Sequence, residues 1–126
     1  MNSEKFKLLW LPLCCFLLIN LCNAQPCQCL SKNAKYHADE FCKVTGFISD
    51  VICISNVKGN MVYLNVGNKF QDKDLSVIIH EKYLKNFSKS LDLLYKSKMV
   101  SIYGVIKIIK GKPLIFIKKE SDIEIN

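Results

Sequence analysis

The spacing of apolar residues divides most of this chain into five short strands and one helix. Apolar and polar side chains alternate along five segments, as they do in a half-buried strand. The strands are predicted at Cys42–Ser49, Asn60–Val66, Leu75–His80, Lys98–Ile109 and Pro113–Lys118. A helix is predicted over Glu81–Tyr95, because Leu84, Phe87, Leu91 and Leu94 recur at the three- and four-residue spacing of one helical face.

Three strands, one helix and two further strands, in that order, are typical of the OB-fold, a five-stranded Greek-key barrel. We therefore predict a mainly β domain over residues 42–126, in which the helix between strands 3 and 4 closes one end of the barrel. Gly46 and Gly104 lie inside strands, where a small barrel needs corners. Val51–Ser55 continues the first alternation out of step, which predicts a β-bulge near Asp50.

The first 24 residues have the layout of a secretory signal peptide. Lys5 and Lys7 precede the apolar stretch Leu8–Leu21, and small residues then lead to a cleavage site after Ala24. The apolar stretch is shorter than the ~20 residues of a membrane-spanning helix, although retention as an anchor is an alternative. The sequence predicts an exported bacterial protein, periplasmic or secreted, in which residues 25–41 lead into the barrel.

Four cysteines remain after the predicted cleavage: Cys27, Cys29, Cys42 and Cys53. An even number of cysteines in a small exported domain favours disulfides, and three pairings of four cysteines are open. Cys27 and Cys29 are too close together to pair easily, so a bridge from the N-terminal segment to Cys42 is favoured. The metal alternative, Cys27, Cys29 and Cys42 with His37, lacks the usual C-x₂₋₄-C spacing of a structural zinc site. The sequence predicts at least one disulfide, no metal and no other cofactor.

Every basic residue of the chain is lysine. The sequence has 18 basic and 11 acidic residues, and loss of Lys5, Lys7 and Glu4 leaves 16 and 10, a net charge of about +6. Lysine holds phosphate as a point charge, but it lacks the planar fork with which arginine reads a base. A codon bias toward lysine and a solvated surface are the favoured explanation for most of these lysines. A surface with lysine alone can also hold phosphate, but it is poorly suited to sequence-specific base reading.

Several short motifs fall at the turns and core positions of the predicted barrel: CKVTGFI at 42–48, GNMVYLNVG at 59–67, DLSVII at 74–79, VSIYGVI at 100–106 and GKPLIFI at 111–117. Together they resemble a family of small OB-fold nucleic-acid-binding-type domains in exported bacterial proteins, found alone or beside nuclease domains. The resemblance covers about residues 43–125 and leaves most of the cysteines outside its pattern. It implies an OB-fold whose ligand lies across strands 2 and 3.

No catalytic arrangement accompanies this pattern. A metal-dependent nuclease would need clustered carboxylates with arginine, and here the carboxylates are scattered through turns and tails. His37 and His80 are far apart and have no paired base or nucleophile in the sequence. The sequence predicts a protein that is not an enzyme.

A binding face is the remaining candidate. Proteins that bind single strands combine aromatic stacking platforms with a basic groove. We predict stacking by Tyr63, Tyr103 and Phe116, and phosphate contacts from Lys58, Lys107, Lys110 and Lys112. Because tyrosine and phenylalanine are also good strand formers, the alternative is a periplasmic protein-interaction or envelope-stress module with no nucleic-acid role.

Overall fold

A computed structural model describes residues 25–67 and 73–126, so the predicted signal peptide and the loop at 68–72 lie outside the described residues. The described part contains eight strands rather than the predicted five: β1 (Cys27–Leu30), β2 (Phe41–Asn56), β3 (Gly59–Gly67), β4 (Lys73–His80), β5 (Met99–Val105), β6 (Lys107–Ile109), β7 (Lys112–Phe116) and β8 (Ile123–Ile125). It also contains three short 3₁₀ helices, Ser31–Tyr36, Glu81–Asn86 and Glu120–Asp122, and one α-helix, α1 (Leu91–Tyr95).

The strands form one curled, barrel-like sheet. Their order is β6-β7-β4-β3-β2-β5-β8, with β1 beside β2. The pairs β4–β7 and β1–β2 are parallel, and the other pairs are antiparallel. Strands β5 and β6 lie in different parts of the sheet, yet only Ile106 separates them in the chain. The sheet therefore bends back toward itself, and the domain is mainly β.

Strand β2 belongs to two parts of the sheet, because a bulge lets it turn. Its first half, Phe41–Phe47, pairs with β5, and its second half, from Ile48 onward, pairs with β3. The register with β3 shifts between Ile48 and Asp50, so Ser49 is the extra residue. A bulge bends its strand and increases the local twist. The bulge predicted near Asp50 is confirmed.

The core lies inside the curl and is built from alternate residues of the long strands, as the sequence pattern predicts. Each side chain of this kind stabilises the fold by roughly 1.5–3 kcal/mol through burial. The hydrophobic strand residues that are at most 2 % exposed are Cys42, Val44, Ile48, Leu64, Val66, Leu75, Val77, Ile79, Val100, Ile102 and Ile115, with Ile106 and Ile117 beside the strands.

The segment between β4 and β5 corrects the predicted helix. Instead of one helix over Glu81–Tyr95, it forms a 3₁₀ helix and α1, with Phe87 in an extended conformation between them. Ser88 donates hydrogen bonds from its hydroxyl and its backbone N–H to Oε1 of Glu120, at 2.7 and 3.1 Å. These bonds connect Ser88 to the C-terminal segment, and Ser88 belongs to neither of the two helices.

Two of the core residues predicted in this segment are buried despite the break. Phe87 and Leu91 are buried as predicted. Leu84, which was also predicted to be buried, is 37 % exposed, whereas Tyr95 is 1 % exposed and belongs to the core. The rings of Phe87 and Tyr95 meet edge to face, 6.3 Å apart at their centroids. In residues 25–67 and 73–126, no helix is long and apolar enough to cross a membrane.

A disulfide joins Cys27 to Cys42, which confirms the predicted link between the N-terminal segment and the first long strand. The two residues lie directly opposite each other in the parallel β1–β2 pair, with Cα atoms 4.4 Å apart. Cys29 and Cys53 are free thiols in the described part of the chain. The lead-in predicted at residues 25–41 thus contributes a covalently tied strand to the sheet.

Candidate nucleic-acid interface

The outer face of the curled sheet carries a row of large apolar side chains across four strands. The strand register places Ile52, Tyr63, Ile78 and Phe116 side by side on β2, β3, β4 and β7. Ile78 is 4 % exposed although it lies outside the core cluster, whereas Phe116 is 51 % exposed. We call these four residues the apolar row; such a surface suits planar rings, which stack on apolar and aromatic side chains.

Four lysines line a cleft of about 260 Å³ at one end of this face. Lys32 and Lys35 come from the first 3₁₀ helix, Lys73 from the start of β4, and Lys112 from the start of β7. Asp74 is the one carboxylate among the residues that line this cleft, and the hydroxyl of Ser31 donates to its Oδ2 at 3.1 Å. This lysine cleft therefore presents an excess of positive charge.

The lysine cleft and the apolar row lie two residues apart along β4 and β7. Ser76, which lines the cleft, pairs with Leu114, and two residues further along the same strands Ile78 pairs with Phe116. Two residues of a strand advance about 6.6 Å along one face. The cleft and the row are therefore separated by about this distance.

The structure brings together only some of the predicted lysines. Lys112 lines the cleft, and Lys110 lies in the same turn, with a φ of 52°. Lys107 lines a different cleft together with Tyr103 and Phe116, and its Nζ lies 3.0 Å from Oδ1 of Asp39. Lys58 lies in the β2–β3 turn beside His80, at the opposite end of β4 and roughly 23 Å from the cleft at ~3.3 Å per residue.

The predicted aromatic residues are also divided. Tyr63 and Phe116 both belong to the apolar row, and β4 lies between their strands. Tyr103 lines a separate cleft of about 420 Å³ with Phe116. Its hydroxyl donates to Oε2 of Glu124 at 3.1 Å, and Nζ of Lys43 lies 5.9 Å from its ring centroid. Since its hydroxyl and ring face already have partners, Tyr103 is the weakest stacking candidate of the three.

Sequence reasoning missed three of the four lysines of the cleft. Lys73 borders the polar loop after β3, and Lys32 and Lys35 lie in the segment predicted to precede the fold. The available signal was the spacing of three between Lys32 and Lys35, because residues three apart on a 3₁₀ helix point the same way. The spacing alone could not identify these two lysines, because the sequence did not show that Ser31–Tyr36 forms a 3₁₀ helix packed against the sheet.

The free thiols are separate from this face. Burial, and then the negative charge of Glu40, raise the pKa of the Cys29 thiol. A raised pKa keeps the thiol protonated and unreactive at neutral pH. Cys53 lines a different, apolar groove together with Phe87 and Leu91. Neither cysteine takes part in the candidate interface.

Neither protein-family models nor curated proteins give a match to this sequence. Among solved structures, the chain is similar to a "putative aspartyl-tRNA synthetase" from Leishmania major Friedlin, with a TM-score of 0.50 and 9 % identity. The match covers 81 % of this chain and 21 % of that chain, so this chain spans about a fifth of its neighbour's length. At this identity the likeness is one of fold alone.

Proposed function

We propose that this chain is an exported, non-enzymatic OB-fold protein that binds single-stranded nucleic acid or another polyanion weakly and with little sequence preference. The OB-fold assignment rests on the strand neighbours β7-β4-β3-β2-β5 and on the helical segment between β4 and β5. In this assignment β2, β3, β4, β5 and β7 are the five barrel strands, and β1, β6 and β8 are additional strands.

One observation carries the binding proposal: a cleft with four lysines lies two residues along β4 and β7 from an apolar row with two exposed or half-exposed rings. The cleft holds phosphates, and Tyr63 and Phe116 stack on bases. Stacking on an aromatic ring contributes ~1–3 kcal/mol per base and tolerates every base. Since all the basic groups are lysines, the contacts hold charge without reading base edges.

Two further points support this proposal. The similar solved structure is named as an aminoacyl-tRNA synthetase, and such enzymes act on a nucleic acid. The Cys27–Cys42 disulfide supports export, because disulfides persist in oxidising compartments. Cleavage after Ala24 completes the export proposal. The intact mass of the protein from an envelope fraction tests it, and a mass that still includes residues 1–24 would make the chain an anchored protein.

The experiment for binding is a fluorescence-anisotropy titration with a labelled oligothymidine. If the four cleft lysines neutralise four phosphates, the association constant falls roughly fiftyfold between 50 and 200 mM salt, at about 0.7 log units per phosphate for single strands. An unlabelled polyphosphate competitor separates polyanion binding from nucleic-acid binding, because only a base-containing ligand uses the apolar row. Absence of binding at 20 mM salt would contradict the proposal.

An apolar groove supports one alternative function, the binding of a protein partner. An apolar groove of about 520 Å³ lies between the β2–β3 hairpin and the α1 segment, lined by Val51, Val62, Phe87 and Leu91 among others. The hairpin beside it exposes Ile54 and Val57. Such a surface suits a protein partner in the cell envelope, and failure of every polyanion to bind would favour this protein-interaction reading.

A further inference from the structure

A second group of chemically active side chains lies at the start of the domain, away from the apolar row. Cys27, His37, Glu40 and Cys42 each place one ligand atom within 4.8 Å of the other three. The atoms are two sulfurs, one imidazole nitrogen and one carboxylate oxygen. This donor set is one that zinc and other borderline divalent transition metals accept.

The backbone holds these four residues in place. The β1–β2 register sets Cys27 opposite Cys42, and His37 caps the first 3₁₀ helix with its N–H donating to the carbonyl of Ala34 at 3.0 Å. The N–H of Glu40 donates to the carbonyl of His37 at 3.2 Å, so both side chains stay on one turn. Nδ1 of His37 and Oε2 of Glu40 are 2.5 Å apart.

The same turn is fastened to the barrel. The N–H of Ile106 donates to the carbonyl of Glu40 at 3.0 Å, and the N–H of Asp39 donates to the carbonyl of Ile106 at 2.7 Å. Cys42 is fully buried, Cys27 and His37 are half-buried, and Glu40 is exposed. The group is therefore a preformed cup with its closed side in the core and its open side at the surface.

The disulfide decides whether the cup can hold a metal, because bonded sulfurs are not thiolates. A dithiol reductant breaks the S–S bond by giving up two electrons and two protons and closing to its own disulfide, which leaves Cys27 and Cys42 as thiols. We propose that this reduced form binds one divalent zinc-type ion through Cys27, Cys42, His37 and Glu40. The two thiols release their protons when the ion binds, and neutral His37 and ionised Glu40 enter as ligands.

The geometry fits this ion without movement of the fold. Zinc–ligand bonds of about 2.0–2.3 Å put tetrahedral donor atoms roughly 3.5 Å apart. Donor atoms already within 4.8 Å need only small side-chain rotations once the sulfurs separate. The bound ion and the disulfide then exclude each other, and each one ties β1 to β2.

This donor set differs from the one that the sequence suggested and rejected. That alternative used Cys29, and the C-x-C spacing of Cys27 and Cys29 argued against it. In the structure Glu40 takes the fourth place and Cys29 stands outside the cluster. The distinction makes Cys29 a matched control.

Cobalt(II) titration tests the proposal, since tetrahedral thiolate sites give cobalt an intense sulfur-to-metal absorption band and visible ligand-field bands. The protein is reduced with a phosphine, which supplies the two electrons, takes an oxygen from water and leaves as its oxide. We expect one cobalt per chain in reduced protein, release of that cobalt by zinc, and no bands in oxidised protein. His37→Ala and Glu40→Gln should each weaken cobalt binding at least tenfold, in line with the ~10–100-fold effect of even outer-shell partners.

The controls make failure informative. Cys29→Ser should bind cobalt as the unchanged protein does, and oxidised His37→Ala should keep the disulfide and the folded circular-dichroism spectrum. Absence of the bands from reduced protein, whether it is folded or unfolded, would overturn the proposal. Bands that survive Glu40→Gln but vanish with Cys29→Ser would also overturn it, because they would assign the ion to the other donor set.

Discussion

Two glycines of the barrel strands are packed too closely against their neighbours to carry any side chain. A Cβ on Gly104 would lie 2.5 Å from Cγ2 of Ile115, and one on Gly46 would meet the side chains of Val66 and Ser31. Both glycines were predicted as corners of the barrel, and here the close approach of the neighbouring elements requires them. The lack of a Cβ, rather than a positive φ, is therefore what these two positions require.

Gly104→Ala should lower the free energy of unfolding by about 1–3 kcal/mol, the usual cost of overpacking. Urea denaturation followed by circular dichroism measures this loss. Val105→Ala is the control, because Val105 is the next residue and its side chain is 39 % exposed. Equal stabilities of Gly104→Ala and the unchanged protein would show that Ile115 can move aside.

A second residue-scale prediction concerns Tyr95, the buried last residue of α1. Burial, and then the negative charge of Glu120, raise the pKa of Tyr95 from 10.0 to about 12. Its hydroxyl has no hydrogen-bond partner among the described residues. Between pH 10 and about 12 the unfolded chain has lost this proton and the folded chain keeps it, so stability is complete below pH 10 and falls as the pH rises through this interval.

Tyr95→Phe should therefore reduce the loss of stability between pH 10 and 12, which thermal unfolding at a series of pH values measures. Tyr36→Phe is the matched control, because Tyr36 is 72 % exposed. If both variants lose stability with pH as steeply as the unchanged protein, Tyr95 does not carry this dependence.

Tyr63 allows a residue-scale test of the proposed interface. Tyr63→Ala should weaken oligothymidine binding by roughly fivefold or more, since a stacked base contributes ~1–3 kcal/mol. Phe47→Ala is the control: Phe47 is another exposed aromatic residue of the sheet, but its register partner is Met99, outside the apolar row. The folded state of Tyr63→Ala is checked by its melting curve. Unchanged affinity in a folded Tyr63→Ala protein would remove stacking from the proposal.

At the scale of elements, β1 depends on its covalent link. It has four residues and, among the described strands, pairs with β2 alone, so the Cys27–Cys42 bridge supplies much of its attachment. The double variant Cys27→Ser, Cys42→Ser should lose about 3 kcal/mol of stability, the value expected for a loop of 15 residues. Guanidinium denaturation without reductant measures it, with Cys29→Ser as control. A loss equal to that of Cys29→Ser would mean that the bridge is redundant.

The elements also show what the sequence could predict. Alternation located the long strands, because one face of each is buried in the core, and the step out of phase located the bulge at Ser49. The helix prediction was wrong in its continuity. The break depends on Glu120, which is 32 residues from Ser88 and accepts its hydrogen bonds. No local pattern reports a partner at that distance.

At the scale of the whole molecule, the proposed site combines elements that are far apart in sequence. The lysine cleft joins the first 3₁₀ helix, the start of β4 and the start of β7, and only Lys112 of its lysines was predicted. The apolar row was easier to anticipate, since Tyr63 and Phe116 are outward residues of alternating strands. Charged residues on loops and short helices come together on one surface only when these segments pack in the folded protein.

If the lysine cleft holds phosphates, the salt dependence of oligothymidine binding must reflect the number of its lysines. The logarithm of the oligothymidine association constant is plotted against the logarithm of salt concentration for three proteins. The unchanged protein should give a slope near −3, and Lys32→Ala with Lys35→Ala should give a slope near −1.4, because about 0.7 is lost per phosphate. Lys85→Ala with Lys89→Ala removes two exposed lysines outside the cleft and should keep the original slope. Equal slopes for the two double variants would show that Lys32 and Lys35 do not hold phosphates.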